Sequence, residues 1–447
     1  MKLRLPTFID LLPARIDEAV GTRAKRRCCV ARQRRRRQAA NETGAAEGAS
    51  LQRPRLFVDM AVISKNDAGT GIQRVVRALA LALRDAAPAQ GWDIRFVSAT
   101  RKRSYFEISW PDTVSGRAPD FTPIHARPGD VFLGLDYSLD TLRWHRRKLA
   151  RFRGQGGRLW FLVHDLLPLQ RPDWFSRNTV LRYRIWLDTV AALSEGFVCN
   201  SGHTETELRN ALDERYGLTG GYRTQVVSMG GNILDAAAPS YATGDNAEVE
   251  GDIPAPRFDT SPPYFLMVGT LEPRKGHGDI VAAFDALWRD EGQLRLVLVG
   301  RQGWQIAELA QRIRSHPEYG GKLLWLDDVG DRELATIYDA CAGVVIASYA
   351  EGFGLPLVEA LEHAKPVLAR DLAVFRPHEG NGVQYFPADA DTPALAQAIR
   401  LWADDVAKGR VVVTPPEATW ALSAAELLAG LQAMPSGAGA AARDRSS

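Results

Sequence analysis

Cysteine is scarce in this chain: four in 447 residues, Cys28, Cys29, Cys199 and Cys341, with no CxxC pair and no Cys/His ligand spacing. That excludes a disulfide scaffold and a structural zinc, and it predicts a reducing compartment, with Cys199 and Cys341 as small buried hydrophobes in strand-like contexts. Long apolar runs are missing too. No stretch of 18 apolar residues occurs, so no spanning helix is predicted, and residues 1–30 lack the continuous hydrophobic segment of a secretory signal. The expected location is cytoplasmic. Net charge is also small, +3, but unevenly placed: residues 1–55 hold 14 Lys/Arg against 5 Asp/Glu, an excess of nine, which leaves −6 for the remainder. A mildly acidic body excludes a nucleic-acid surface spread over the fold, and no nucleic-acid partner is expected.

Present instead is an ordinary globular composition, 45% hydrophobic and 24% charged, long enough for two domains with separate cores. The positive charge concentrates in RAKRRCCVARQRRRR (23–37), followed by the small polar stretch QAANETGAAEGAS. Residues 1–54 therefore read as a basic, flexible arm. Residues 1–37 suit peripheral contact with an anionic membrane at its inner face; the alternatives are a solvated extension or an initiation codon set too far upstream.

From Arg55 onward, strand-like and helix-like patterns alternate. RLFVDMA, WDIRFVSA, DVFLGLD, GRLWFLVHD, GFVCNS and QVVSM read as strands, separated by helical periodicity at 71–87, 180–193 and from about 203. Periodicity fails between about 231 and 263, where Pro, Gly, Ala, Asp and Ser accumulate. A second series then runs through YFLMVG, LRLVLVG, KLLWLD, GVVIAS and PVLAR. The predicted organisation is α/β: a domain at 55–231, a linker or excursion at 232–263, a second domain at 264–415, a helix at 416–433 packing back toward the first domain, and a disordered tail at 434–447. Two Rossmann-like parallel-sheet domains facing across a cleft follow, with ligands beyond the carboxyl ends of strands.

Four segments at such strand ends can carry chemistry. In ASYAEGFGLPLVEAL (347–361), Gly352 and Gly354 sit between a buried strand and a helix with Pro356 in its first turn. A helix amino terminus favours an anion, and the glycines would let backbone approach it; an ordinary βα turn fits them as well. VGTLEPRKGH (268–277) sets Arg274 and Lys275 side by side, two cations suited to a phosphate or diphosphate. DAGTGIQR (67–74) is a second glycine loop, and FLVHDLLP (161–168) ends a strand with His164 and Asp165, where a satisfied structural histidine is the plainer reading. Glu351 in the loop and Glu359 in the helix suit two parts of one ligand, the second accepting from a ribose diol. Asp389–Asp391 (DAD) mimics a metal-binding pattern but precedes a helical segment and reads as capping; no metal site is predicted.

The series EPRKGH, LVLVG and DRELATIYDACAGVVIASYAEGFGLPLVEAL resembles the carboxyl-terminal half of retaining GT-B glycosyltransferases of the large group 1 type (family 4). Over 56–230 the likeness is weaker, and GTGIQRVV and VHDLLP look like versions found in bacterial mannosyltransferases of surface-polysaccharide synthesis. The resemblance implies that Arg274 and Lys275 bind the donor diphosphate, Glu359 the ribose, and Glu351 the donor sugar. Backbone of Phe353, Gly354 and Leu355 would hold sugar and phosphate, Gly71 would approach the diphosphate from the facing domain, and His164 would contact the donor sugar or orient the acceptor. One departure is GTG where many relatives have adjacent glycines. The implied function is transfer of a hexose, mannose first, from a GDP- or UDP-linked donor to a glycan or lipid-linked acceptor in O-antigen, capsule or exopolysaccharide synthesis. No cofactor or metal is implied. A nucleotide-sugar epimerase of the same architecture and a non-catalytic sugar-nucleotide-binding component are the alternatives.

Overall fold

The computed structural model describes residues 53–111, 121–231, 256–290 and 292–432. The basic arm with its expected membrane contact, most of the 232–263 segment and the 434–447 tail lie outside these residues. The short apolar runs form strands whose side chains are buried at the centre of each sheet, those of Val131–Gly134, Arg158–Val163, Gly196–Cys199, Arg295–Val299 and Gly343–Ile346 almost entirely, because helices cover both faces. In the first sheet these are β1 (Arg55–Asp59), β2 (Asp93–Ser98), β3 (Phe106–Glu107), β4 (Val131–Gly134), β5 (Arg158–Val163), β6 (Gly196–Cys199) and β7 (Arg223–Val226). Their order is β3-β2-β1-β4-β5-β6-β7, parallel except for the short β3, which pairs antiparallel to β2. Around it lie α1 (Gly71–Ala86), α2 (Leu139–Gly154), α3 (Leu167–Gln170), α4 (Arg177–Leu193) and α5 (Gly202–Tyr216).

The second sheet contains β8 (Tyr264–Val268), β9 (Arg295–Val299), β10 (Leu323–Leu326), β11 (Gly343–Ile346), β12 (Val367–Arg370) and β13 (Val383–Phe386), ordered β10-β9-β8-β11-β12-β13 and parallel throughout. Its helices are α6 (His277–Arg289), α7 (Ala307–Arg314), α8 (Asp331–Ala340), α9 (Leu355–Glu362) and α10 (Thr392–Ala407). Asp391 Oδ1 accepts from the Ala394 N–H at 2.9 Å, so the end of the DAD segment caps α10. The last helix, α11 (Trp420–Gln432), returns to the first half. Its Trp420, Ala424, Leu427, Leu428 and Leu431 are buried in the core that also holds Val76, Leu79 and Leu83 of α1.

Cys199 and Cys341 are buried, and burial pushes each thiol up to about 12, as suits small core hydrophobes. Among the described residues no helix is long and apolar enough to cross a membrane. What positions the site is the strand order. The chain leaves β1 toward β2 on one side and returns to β4 on the other; β8, between β9 and β11, repeats this. Loops leaving such neighbouring strands diverge and open a crevice at the strand ends. The loop after β1 carries GTGIQR, the loop after β8 carries EPRK, and the loop after β11 carries EGFG. Three of the four candidate segments therefore occupy switch points.

Candidate active site

Beyond β8 the chain turns through a single 3-10 turn, Pro273–Lys275, which projects Arg274 and Lys275 toward the loop after β11. Lys275 Nζ lies 2.5 Å from Glu351 Oε1 and Arg274 Nη1 lies 3.3 Å from Glu351 Oε2. Ser348 Oγ donates to Glu351 Oε1 at 2.6 Å, and Arg274 Nε donates to Glu272 Oε2 at 2.9 Å. Burial alone would raise the Glu351 carboxyl, but Lys275 and then Arg274 outweigh it and bring it down to about 2. Desolvation likewise works against the Arg274 charge, which Glu351, Glu272 and Asp165 hold in place. The result is a half-buried cluster of one guanidinium and one ammonium group balanced by Glu351 and Glu272, so an entering anion would compete with these carboxylates for the two cations.

The glycines of EGFG also have a packing reason, besides the close approach to a ligand expected of them. A Cβ on Gly352 would stand 2.1 Å from the His164 carbonyl oxygen and 2.8 Å from Asp165 Cβ. Gly354 has φ +89°, and a Cβ there would meet Phe375 Cε1 at 2.3 Å. Both positions are demanded by protein packing. The first is contact across the cleft: the end of β5 presses against the EGFG loop, and Ser201 Oγ (2.7 Å) and Thr204 Oγ1 (3.0 Å) of the facing half both donate to the Gly352 carbonyl.

His164 is buried at this seam, with Asn200 Nδ2 donating to its carbonyl at 2.8 Å. Its ring is not the fully satisfied structural histidine that an isolated strand-end residue suggests, because Nε2 has no hydrogen-bond partner. Burial, only partly opposed by a hydrogen bond with the Leu135 backbone, lowers it to about 4, so the imidazole is neutral at pH 7. Asp165 beside it is raised by burial, against the pull of Arg274.

Glu359 occupies a second place, on α9. It is buried, accepts from Tyr338 Oη at 3.0 Å through Oε2, and faces Arg74 Nη2 at 2.7 Å through Oε1. Arg74 belongs to α1 of the other half, and its Nε also lies 3.3 Å from Asp331 Oδ1. Burial raises the Glu359 carboxyl against the opposing Arg74 charge. Gly71 opens α1 behind a capping box formed by Thr70 and Gln73. A Cβ on Gly71 would stand 3.9 Å from Leu355 Cδ2, so the two glycine loops meet at the start of α9. Leu355 packs into the first half's core, and Phe353 is half-buried between the cores of both halves.

The residues singled out in the sequence thus fall into two neighbouring groups: Arg274, Lys275 and Glu351 with His164 against their loop, and Glu359 with Gly71, Gly354 and Leu355 around the start of α9. Sequence reasoning missed Arg74, Asp331, Tyr338, Ser201 and Thr204. Arg74 left a signal, since it falls among the largely apolar buried residues of an amphipathic helix, with Val75, Val76, Ala78 and Leu79. Ser201 and Thr204 left only the helix-start pattern, with Ser201 as N-cap of α5.

Residues 249–411 match the family model described as glycosyl transferases group 1. The serotype-specific mannosyltransferase WbdA of Escherichia coli is 33% identical over 355 residues, 78% of this chain and 41% of its own length. The chain therefore spans about two fifths of that relative. Among solved structures, sucrose-phosphate synthase from Thermosynechococcus elongatus superposes with a TM-score of 0.53 at 19% identity, covering 85% of this chain and 95% of its own. HepE of Anabaena, solved in complex with UDP-glucose, gives a TM-score of 0.50 at 16% identity, covering 84% and 94%. Family match, relative and architecture agree with the paired sheets and the EGFG and EPRK loops: residues 249–411 match the group 1 glycosyl transferases, and the chain has the GT-B fold.

Proposed function

We propose that the chain is a retaining hexosyltransferase that moves a hexose, mannose first, from a GDP- or UDP-linked donor to a hydroxyl of a glycan or lipid-linked acceptor in bacterial surface-polysaccharide synthesis. The observation that carries this reading is the half-buried Arg274–Lys275–Glu351 cluster at the β8/β11 switch point. Departure of a nucleoside diphosphate builds negative charge, and fixed cations in a water-poor site stabilise it where it develops. Arg274 and Lys275 take that role, and Glu351 orients the donor sugar. Glu359 accepts from the ribose diol, with Gly71 and the backbone of Phe353, Gly354 and Leu355 along the diphosphate and sugar. The neutral His164, with Nε2 unpartnered, contacts the donor sugar or the acceptor. Attack on the face from which the diphosphate leaves accounts for retention. No metal is assigned a role, because Arg274 and Lys275 supply the countercharge. The WbdA relatives are named mannosyltransferases, and HepE was solved with UDP-glucose; both support the reading.

A screen of GDP- and UDP-sugars, followed by mass analysis of products with an oligosaccharide or polyprenyl-linked acceptor, tests it. Acceptor-dependent glycan extension in excess chelator is the expected result. A product that is only an altered nucleotide sugar would make the protein an epimerase, and binding without turnover would make it a non-catalytic component. The membrane contact proposed for residues 1–37 has its own test, sedimentation of the chain with anionic vesicles, which is expected to weaken when that segment is removed and when salt is raised.

A further inference from the structure

The cleft has distinguishable ends, Glu359 with Tyr338 and Arg74 marking one and Glu351 with Arg274 and His164 the other. Three aromatic residues from both halves gather at the second. Trp174 stands in the 3-10 turn Pro172–Trp174 that follows β5 and α3, Trp304 lies in the loop after β9, and Tyr349 precedes Glu351 by two residues. Trp304 Nε1 donates to the Trp174 carbonyl at 2.8 Å, and the rings of Trp174 and Tyr349 lie 6.4 Å apart, tilted by 39°. The rim is continuous with the cation cluster. The Tyr349 N–H donates to the Arg274 carbonyl at 2.8 Å, and Gly303 packs on Glu272, the carboxylate that also holds Arg274.

Trp304 remains 41% exposed and Tyr349 42%. Large rings left open together mark a binding surface rather than a packing one. This one is amphipathic: Arg171 lies 3.8 Å over Trp174, Arg370 4.2 Å over Tyr349, and the Tyr349 hydroxyl bonds Asp279 at 2.6 Å. Its occupant therefore presents an apolar face and a hydrogen-bonding edge in one compact ring, which is the chemistry of a pyranose. We infer that Trp174, Trp304 and Tyr349 form an acceptor subsite that stacks on a pyranose ring of the glycan acceptor beside the donor-sugar end of the cleft. The inference rests on the glycosyl-transfer reading above, and it makes the acceptor site a joint product of both halves, since Trp174 comes from one and the other two rings from the second.

The test uses the full chain, a panel of gluco-, galacto-, manno- and rhamno-oligosaccharides, and saturation-transfer NMR. Wild type is expected to contact at least one sugar, Trp304→Ala to weaken that binding at least tenfold, and Trp304→Phe, which keeps a ring but loses the bond to Trp174, to retain most of it. Affinity for GDP and UDP, measured by calorimetry, should stay within twofold in both variants. The subsite is overturned if no sugar of the panel binds, if Trp304→Phe is as weak as Trp304→Ala, or if nucleotide affinity falls in step with sugar binding. Nucleotide-sugar turnover by wild type is followed in parallel. Its absence would sink the transferase reading, whereas turnover with an unchanged acceptor KM in Trp304→Ala would sink only the subsite.

Discussion

The two halves place charge at equivalent strand ends and give it opposite character. In the second half, Glu351 is flanked by Lys275 and Arg274 and held at about 2. In the first half, Asp59 at the end of β1 faces Asp136 beyond β4, and burial followed by that second carboxylate pushes Asp59 up to about 7. Ser138 Oγ (2.7 Å) and Tyr105 Oη (3.1 Å) donate to Asp59 Oδ2, while Asp136 Oδ2 accepts from the N–H groups of Val62 and Ile63. Lys65 stands near both acids, but its ammonium bonds the Ala99 carbonyl. The acids of the first half thus fasten the loop that leads to GTGIQR, and the cations of the second face the crevice. At the switch-point strand ends, the second half brings Arg274 and Lys275 to the crevice. The first contributes its buried cation, Arg74, across the cleft.

The largest effect should come from breaking that loan. Arg74 and Glu359 are both buried, so removing one partner strands a charge, at a typical cost of 3–5 kcal/mol. Arg74→Ala is expected to lower stability by about that much in urea unfolding, and Glu359→Gln in the same background to recover part of it. If the double variant is no more stable than Arg74→Ala alone, the pair does not couple the halves. Glu359→Gln by itself leaves Arg74 with Asp331 alone, so it should lower stability as well as weaken nucleoside diphosphate binding in calorimetry.

Next in size is the cation cluster. Lys275→Ala and Arg274→Ala each remove a charge-assisted contact worth about 1.5–3 kcal/mol, so turnover at saturating donor should fall at least about tenfold while circular dichroism reports an intact fold. Full activity in either variant would withdraw the diphosphate assignment and, with it, the electrostatic contrast between the halves.

Much of this arrangement was legible beforehand, and for identifiable reasons. β1, β4, β5, β8, β9 and β11 are short, largely apolar and bounded by turn residues, so both parallel sheets could be read from apolar runs and punctuation. The EPRK and EGFG loops are local motifs, so Arg274, Lys275, Glu351 and Glu359 could be found by spacing. What could not be read was partnership. Glu359 pairs with Arg74, 285 positions away in sequence, and nothing in a linear pattern links them. The tight fit of Gly352 under His164 belongs to the same class, as does β13, which completes the sheet from a polar-flanked VQYF run. Helix α2 was hidden by six basic residues that interrupt its stripe of Leu142, His145, Leu149 and Phe152.

The acidic side of the contrast is tested by pH. Asp59 is raised in the folded state above its unfolded value of roughly 3.9, so the fold binds more protons than the unfolded chain between that value and about 7. Its contribution is therefore fully present below pH 4 and lost as pH rises through 7. Relative to Asp59→Asn, which stays neutral, wild type should lose stability on going from pH 5 to 8, with a slope of up to about 1.4 kcal/mol per pH unit. Parallel urea-midpoint profiles for the two proteins would place the Asp59 proton elsewhere, and Asp136, Tyr105 and Lys65 would be examined by the same comparison.

The smallest effect concerns the seam where the halves touch without charge. The Gly352 carbonyl accepts from Ser201 Oγ and Thr204 Oγ1, both on the amino-terminal turn of α5. A carbonyl oxygen has two lone pairs, so losing one donor leaves it satisfied by the other, and Ser201→Ala or Thr204→Val alone should cost at most about 0.5–1.5 kcal/mol. Losing both leaves a buried acceptor with neither donor, and the desolvation of that group then adds about 1–3 kcal/mol. The double variant is therefore expected to be worse than the sum of the singles, and to raise the KM for donor more than it lowers kcat, because Gly352 fixes the loop that carries Glu351. Strict additivity would show that water reaches the carbonyl once either hydroxyl is gone. In that case the Gly352 contact is held by packing alone, and the cross-cleft polar coupling rests on Arg74 with Glu359 and Asp331, on Arg77 with Asp331, and on the Trp304–Trp174 hydrogen bond.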